Sequence, residues 1–240
     1  METLIDFLAE ARDAYRRNDW RASYAAFVRA DGVGPMPLDD LDAYGAAAWR
    51  LGRGNEAVRL AERAYDRLVR TDPAGAAMKA TLLALQWRAR GHQALSQVWA
   101  SRARALTTGT PGSGTLGYLA YLDASAALAE RDALALGRAC SMLRQTVSDT
   151  SDTTLGVLGQ VVDGIAALLE FRVAEGYRML DEALLPVLDE RVAPEWAGDI
   201  YRLVLRADGQ ADVTHRQAWT ESRQRWVVVT GVAIDTSDEP

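Results

Sequence analysis

Apolar residues recur at intervals of three and four along most of the chain, in short stripes separated by polar breaks. The first stripe comprises Leu4, Phe7, Leu8, Ala11, Ala14 and Tyr15. A polar break at residues 17–19 follows, and a second stripe runs from Trp20 through Tyr24 to Val28. Apolar spacing of this kind places one face of an α-helix against a core. Two stripes separated by three polar residues therefore predict a helical hairpin.

The same arrangement of stripe, break and stripe continues towards the end of the chain. Its predicted turns are centred near Asp19, Arg53, Gly91, Arg131 and Arg172. A sixth and weaker pair of helices is predicted from Trp196 to Leu205 and from Trp219 to Trp226. The turn centres are spaced by about 34 to 41 residues, the period of helical-repeat proteins. The predicted fold is therefore all-α, an α-solenoid in which successive helix pairs bury their faces against each other.

Residues 41–65, LDAYGAAAWRLGRGNEAVRLAERAY, carry a more specific pattern of bulky, small and glycine positions. These positions are Leu41, Tyr44, Gly45, Ala48, Gly52, Glu56, Ala57, Ala61 and Ala64. The segment resembles the tetratricopeptide repeat, and the resemblance extends more weakly over most of Leu4 to Ala183. It implies about six antiparallel helix pairs in a right-handed superhelix, with the first helix of each pair lining a concave groove.

A narrower resemblance concerns regulatory proteins. The segments ARDAYRRNDWRASYAAF and PEWAGDIYRLV are similar to the tetratricopeptide-type modules of actinobacterial multidomain regulators, many of which end in a LuxR-type helix-turn-helix domain. Only fourteen residues follow Trp226, so that domain is not expected there. The resemblance thus implies a regulatory role without direct binding of nucleic acid. The net charge of −6 agrees, because phosphate binding relies on concentrated Lys and Arg.

The chain is expected to comprise a helical repeat domain over residues 1–226 and a C-terminal cap over residues 227–240. The segment from Val227 to Ile234 is β-branched and apolar, and it is expected to leave the helical pattern. Two roles are open for this tail. Either it covers the exposed flank of the last repeat, or it pairs with another chain and forms a homo-oligomer.

Composition argues against several classes of protein. No run approaches the ~20 apolar residues that cross a bilayer. The amphipathic start METLIDFLAEARDAYRR lacks the basic and apolar regions of a signal peptide. Cys140 is the only cysteine, so no intrachain disulfide can form, and it is interpreted as a buried helical position. A cytoplasmic protein without membrane contact is expected.

Catalytic chemistry finds little support in the sequence. The only histidines are His92 and His215, and no metal-ligand spacing links them to Cys140. A Cys–His nucleophilic pair that forms in space is the alternative to two surface histidines. The Gly-rich stretch 109–114 lacks the Gly-Lys-Ser/Thr ending of a phosphate loop and is interpreted as a loop between repeats. No enzymatic activity, cofactor or metal is expected.

A groove for a partner is the main functional prediction, and it depends on the geometry that the tetratricopeptide resemblance implies. The residues placed on this groove are Arg12, Tyr15, Arg16, Asp39, Asp42, Trp49, Arg50, Arg88, Tyr118 and Tyr121. Arginines beside aromatic rings are typical of interfaces that bind peptide carboxylates and apolar anchors. The competing interpretation is that Tyr118 and Tyr121 pack in the core and that the arginines are solvated.

Three functions remain open from the sequence. The first hypothesis is a non-catalytic adaptor or scaffold that binds a protein or peptide in the groove, in regulation or signalling. The second is a sensor in which the same cavity binds a small ligand, and the third is an enzyme on a helical scaffold. A deep apolar cavity with few convergent polar groups favours the sensor, whereas an open, charged and continuous groove favours the adaptor.

Overall fold

The computed structural model describes residues 3–108, 114–207 and 213–232. Within these ranges the chain forms twelve α-helices and no β-strand, which confirms the predicted all-α class. The helices are α1 (Leu4–Arg16), α2 (Trp20–Val33), α3 (Leu38–Arg50), α4 (Gly54–Thr71), α5 (Pro73–Ala89), α6 (Gln93–Thr107), α7 (Gly114–Glu130), α8 (Ala133–Asp149), α9 (Thr153–Leu169), α10 (Val173–Leu188), α11 (Pro194–Arg206) and α12 (Val213–Thr230).

Consecutive helices pack as hairpins. The most extensive contacts lie within the pairs α1–α2, α3–α4, α5–α6, α7–α8 and α9–α10. Neighbouring hairpins then contact each other through α2–α3, α4–α5, α6–α7 and α8–α9. Each helix therefore buries one face against its hairpin partner and another against the next hairpin. This arrangement is how helical-repeat proteins build a continuous core.

The first five hairpins share one turn geometry. Each turn contains one residue with a positive φ angle, namely Asn18, Gly52, Gly91, Arg131 or Phe171. The backbone N–H of the following residue donates to the carbonyl oxygen five positions earlier, at 2.9 to 3.0 Å in these five turns. This is the Schellman ending of a helix, which satisfies carbonyl groups that the helix itself leaves unpaired. The predicted turn centres are confirmed to within one residue.

Two substitutions at the turn residues with positive φ are predicted to change the free energy of unfolding in opposite directions. An added Cβ on Gly91, which has a φ of +75°, would meet no atom within 4 Å, so Gly91→Ala tests the backbone angle alone. We expect Gly91→Ala to lower the free energy of unfolding by about 1 kcal/mol. Phe171 has a φ of +61° and an 81% exposed side chain, so Phe171→Gly should raise it by about 0.5 to 1 kcal/mol. Urea denaturation measures both changes, and changes of the same sign would contradict this explanation of the turns.

The last hairpin, α11 and α12, also contacts hairpins that are not its neighbours along the chain. Helix α11 contacts α9, and its Asp199 side chain pairs with Arg88 of α5. Helix α12 packs on α10 and α11, and it ends beside the first hairpin, where a Cβ built on Gly231 would lie 3.2 Å from Nε1 of Trp20. The chain therefore curves until its last described residues reach its first turn. As a result, α11 lies against α5 and α9, each of which is the first helix of its hairpin.

The C-terminal tail differs from its prediction. Helix α12 continues through Val227, Val228 and Val229 to Thr230, so the expectation that the helical pattern stops at Trp226 is wrong. β-Branched residues lower helix propensity only slightly, and Val227 packs against the same core as Trp226. The helix is terminated instead by Gly231, which has a φ of +66°. Residues 233–240, on which both proposed roles of the tail largely depend, lie outside the described residues.

Two groups of buried side chains form the core. One belongs to the first two hairpins, and the other extends from α4 and α5 to the end of α12. Trp49 packs against both groups and so connects them. Cys140 is 5% exposed, which confirms its interpretation as a buried helical position. None of the helices described above combines the length and the apolar character that crossing a membrane requires.

Candidate functional site

Two of the predicted groove residues form ion pairs that connect the first helices of neighbouring hairpins. Arg12 of α1 donates from Nε and Nη2 to the two carboxylate oxygens of Asp40 on α3, at 2.7 and 2.5 Å. Lys79 of α5 donates to Asp42 of α3 at 2.8 Å. The spacings of 28 and 37 residues are close to one repeat length, which is why these pairs join adjacent hairpins. Arg12 and Asp42 therefore have intramolecular partners already.

Arg50 lies among aromatic rings on the first two hairpins. Its guanidinium carbon is 4.3 Å from the ring centre of Trp20 and 6.0 Å from that of Trp49. Tyr15 packs edge-on against Trp20 with a ring separation of 5.2 Å. We call Tyr15, Trp20, Trp49 and Arg50 the Arg50 patch. All four side chains are half-buried, so the patch remains accessible to solvent.

The guanidinium of Arg50 has donors to spare. Its Nε is buried and has no hydrogen-bond partner among the described residues. Its Nη1 makes one long bond of 3.4 Å to the carbonyl oxygen of Ala46. Across the described chain, no carboxylate forms an ion pair with Arg50. Stacking on Trp20 fixes the position of the charge, and Nη2, which forms no hydrogen bond among the described residues and is not buried, can donate to an incoming acceptor.

Arg16 and Asp39 remain on the solvent-exposed surface of the first two hairpins. The Arg16 side chain is 72% exposed and forms a local pair with Asp13 on its own helix. Asp39 is an exposed residue in the first turn of α3. Among the described residues, Arg16 and Asp39 are thus exposed and the Arg50 patch is partly exposed in the N-terminal part of the predicted groove.

The C-terminal part of the predicted groove is covered, and the prediction for Tyr118 and Tyr121 is wrong. Tyr118 is 6% exposed and Tyr121 is fully buried. Trp196 of α11 packs on both rings, with centre-to-centre distances of 4.6 and 5.8 Å. The interpretation that the two tyrosines pack in the core is confirmed. Because α11 covers this surface, the open groove is not continuous along all the hairpins.

Arg88 is turned inward to a buried carboxylate that the sequence analysis did not single out. Its guanidinium pairs with Asp199 of α11, which is 5% exposed and also accepts from the Tyr121 hydroxyl at 2.7 Å. Arg202 donates to the other oxygen of Asp199 at 3.0 Å. Burial and the nearby charge of Asp199 raise the pKa of Tyr121 well above its usual value, so its hydroxyl remains a donor. Asp199 therefore joins α5, α7 and α11.

A cavity of about 520 Å³ opens beside this carboxylate, at the end of the molecule that carries the hairpin turns. We call it the basic cavity. It lies between the C-terminal parts of α5, α7, α9 and α11. Its lining residues are Arg88, Gly91, Gln93, Ser125, Ala126, Leu128, Ala129, Glu130, Arg131, Ile165, Leu169, Asp199, Arg202, Leu203, Arg206 and Ala207.

The surroundings of the cysteine, the histidines and the acidic residues bear on the chemistry considered from the sequence. Across the part of the chain that the structure describes, no group of three or more His, Cys, Asp or Glu side chains is arranged to hold a metal ion. Burial raises the pKa of the Cys140 thiol, which disfavours the reactive thiolate. His215 stacks on Tyr177 at 3.9 Å, and His92 packs edge-on against Trp87 at 5.3 Å. Both histidine rings thus have aromatic packing partners.

Comparisons with known proteins return nothing similar. No family model, no curated protein and no solved structure matches the chain. The Arg50 patch and the basic cavity are the two candidate sites among the described residues.

Proposed function

We propose that the chain is a non-catalytic interaction module of tetratricopeptide type, with its helix pairs arranged in a right-handed superhelix. It binds a protein or peptide and acts in regulation or signalling. The repeat length and the shared Schellman turns support this architecture. A single buried cysteine and an excess of acidic residues fit a cytoplasmic module that does not bind nucleic acid directly.

The binding surface in this proposal is the N-terminal part of the inner wall. Arg12, Asp42 and Arg88 serve ion pairs within the chain, and Tyr118 and Tyr121 are covered. The groups that remain for a partner are Tyr15, Arg16, Asp39, Trp49 and Arg50. A patch of this size engages one short segment of a partner rather than an extended chain.

Arg50 is the observation that carries the proposal. A half-buried cation between two indole rings, with unused donors and no carboxylate partner in the described structure, is poised to bind an anion. Arginine in such settings pairs with carboxylates in bidentate geometry, and the neighbouring rings provide apolar contact. The partner segment is therefore expected to carry an acidic side chain next to an aromatic or aliphatic anchor.

Selection of peptides from a random display library, followed by affinity measurement, tests this proposal. We expect the enriched peptides to combine an acidic residue with a nearby bulky apolar residue. Arg50→Glu should weaken their binding at least tenfold, because it replaces an attractive charge with a repulsive one. Arg59→Glu is the matched control. Arg59 is exposed on α4 outside the patch, and this substitution changes the net charge by the same amount as Arg50→Glu.

Circular dichroism and urea denaturation of the same variants separate binding from folding. Arg50→Glu should retain its helical signal, and Arg59→Glu should bind within about twofold of the unchanged protein. Enriched peptides that lack acidic residues, or that bind Arg50→Glu as well as the original chain, would refute the assignment of this surface. Loss of helicity together with loss of binding would make Arg50 a structural residue and would equally remove the support.

A further inference from the structure

The basic cavity is a second candidate site, and it differs in construction from the Arg50 patch. It is bounded by helices from four hairpins, whereas the patch lies on the first two. Its volume of about 520 Å³ lies within the range of small-molecule sites, which run from roughly 300 to 1,000 Å³. Among the described residues, no side-chain hydrogen bond or ion pair joins the lining of the cavity to the Arg50 patch.

The cavity is lined by both apolar and charged side chains. Apolar side chains from three helices form much of the lining, including Leu128 of α7, Ile165 and Leu169 of α9, and Leu203 of α11. Four arginines and two carboxylates supply the charges, an excess of two positive charges. A molecule that fills this space must therefore satisfy apolar walls and cationic groups together.

Three of the arginines have donors that the described residues do not use. Arg131 and Arg206 are exposed at the rim and form no ion pair within the described chain. Arg88 is 84% buried and gives Nη2 to Asp199, but its Nε is buried without a hydrogen-bond partner among the described residues. Buried donors without acceptors are rare in folded proteins, so the guanidinium of Arg88 is incompletely satisfied by the described residues.

From these observations we propose that the basic cavity binds a small molecule with an anionic head group and an apolar body. The apolar body lies against Leu128, Ile165 and Leu203. The head group accepts hydrogen bonds from Arg131 and Arg206 at the rim. Asp199 keeps its existing bonds and holds Arg88 and Arg202 in place, so Asp199 is a positioning residue.

The anionic fluorophore 8-anilinonaphthalene-1-sulfonate is a suitable probe, because it joins a sulfonate to apolar rings. Titration of the folded chain should show one saturable site with enhanced fluorescence. Sodium decanoate should displace the probe, whereas decyltrimethylammonium, with the same alkyl chain and the opposite charge, should not. Displacement by both to the same extent would show an apolar surface without charge selectivity and would overturn the proposal.

Two variants locate the bound probe. Arg206→Glu should weaken binding about tenfold, because it reverses an unpaired rim charge. Ala129→Trp places a large side chain into the cavity from an exposed position of α7 and should abolish saturable binding. Arg138→Glu and Ala25→Trp are the controls, since both positions are exposed and neither lines the cavity. Absence of saturable binding, or equal affinity in all four variants, would overturn the assignment.

The test is independent of the proposal for the Arg50 patch. Arg50→Glu should leave binding of the fluorophore within twofold, and Arg206→Glu should leave binding of the selected peptides within twofold. If each variant impaired both ligands, the cavity would not be a separate site and this inference would fail. Failure of the peptide experiment alone would leave the fluorophore result unchanged.

Discussion

Replacing Asp199 with alanine is expected to lower the free energy of unfolding by about 3 to 5 kcal/mol. Asp199 is 5% exposed and accepts bonds from Arg88, Tyr121 and Arg202. Its removal leaves the guanidinium of Arg88, 16% exposed, without its counter-ion, and the buried hydroxyl of Tyr121 without its acceptor. An uncompensated buried charge costs far more than an exposed ion pair contributes. Urea denaturation followed by circular dichroism measures the change.

Asp163 provides the matched control for Asp199. It also forms an aspartate–arginine pair, with Arg144, but the Arg144 side chain is 63% exposed. Asp163→Ala should therefore cost about 1 kcal/mol or less. The double variant Arg88→Met with Asp199→Leu should recover much of the loss, because apolar residues can replace a buried ion pair. A loss under 1 kcal/mol for Asp199→Ala would show that α11 is not held on α5 and α7 as described.

The hairpins could be predicted from the sequence because their information is local. Apolar spacing marks the buried face of each helix, and three-residue polar breaks mark the turns. Even the turn residues Arg131 and Phe171, which lack the glycine found at Gly52 and Gly91, were placed to within one position. The polar break between two apolar stripes marks these turns even where no glycine is present.

The covering of the C-terminal part of the predicted groove could not be predicted in the same way. Periodicity shows that Tyr121 lies on an apolar face of α7, but it does not show which distant element covers that face. The partner is α11, and its Asp199 lies 78 residues along the chain from Tyr121 and 111 residues from Arg88. Contacts of this separation depend on the curvature accumulated over several hairpins, which small differences in helix packing determine.

The two candidate sites also differ in how far the sequence predicts them. Arg50 could be predicted because the tetratricopeptide resemblance places the first helix of the second pair, which carries it, on the groove. The basic cavity was missed because its lining comes from four hairpins, and no segment of it carries a motif. The sequence also gives no sign that Asp40, which is 3% exposed, pairs with Arg12 and so connects α1 with α3.

The second large effect concerns the contact between α9 and α10, where Gly176→Ala is expected to destabilise the fold by about 2 to 3 kcal/mol. A Cβ at Gly176 would lie 2.6 and 2.7 Å from two side-chain carbons of Leu168. It would also lie 2.9 Å from the carbonyl oxygen of Gly164, which belongs to the backbone of the opposite helix. Leu168 is 1% exposed and cannot move away without disturbing the core, so the two helices must separate.

Gly137→Ala is the control that isolates this clash, because the two variants share one chemical change. Gly137 lies in the interior of α8, is exposed, and a Cβ there would meet no atom within 4 Å. Alanine is the better helix former by about 1 kcal/mol, so Gly137→Ala should stabilise the protein by about 0.5 to 1 kcal/mol. Gly176→Ala gains the same helix propensity, but the steric cost of the added Cβ is larger than this gain. If Gly176→Ala proved as stable as the original chain in urea denaturation, the backbones of α9 and α10 could not approach as closely as the structure shows.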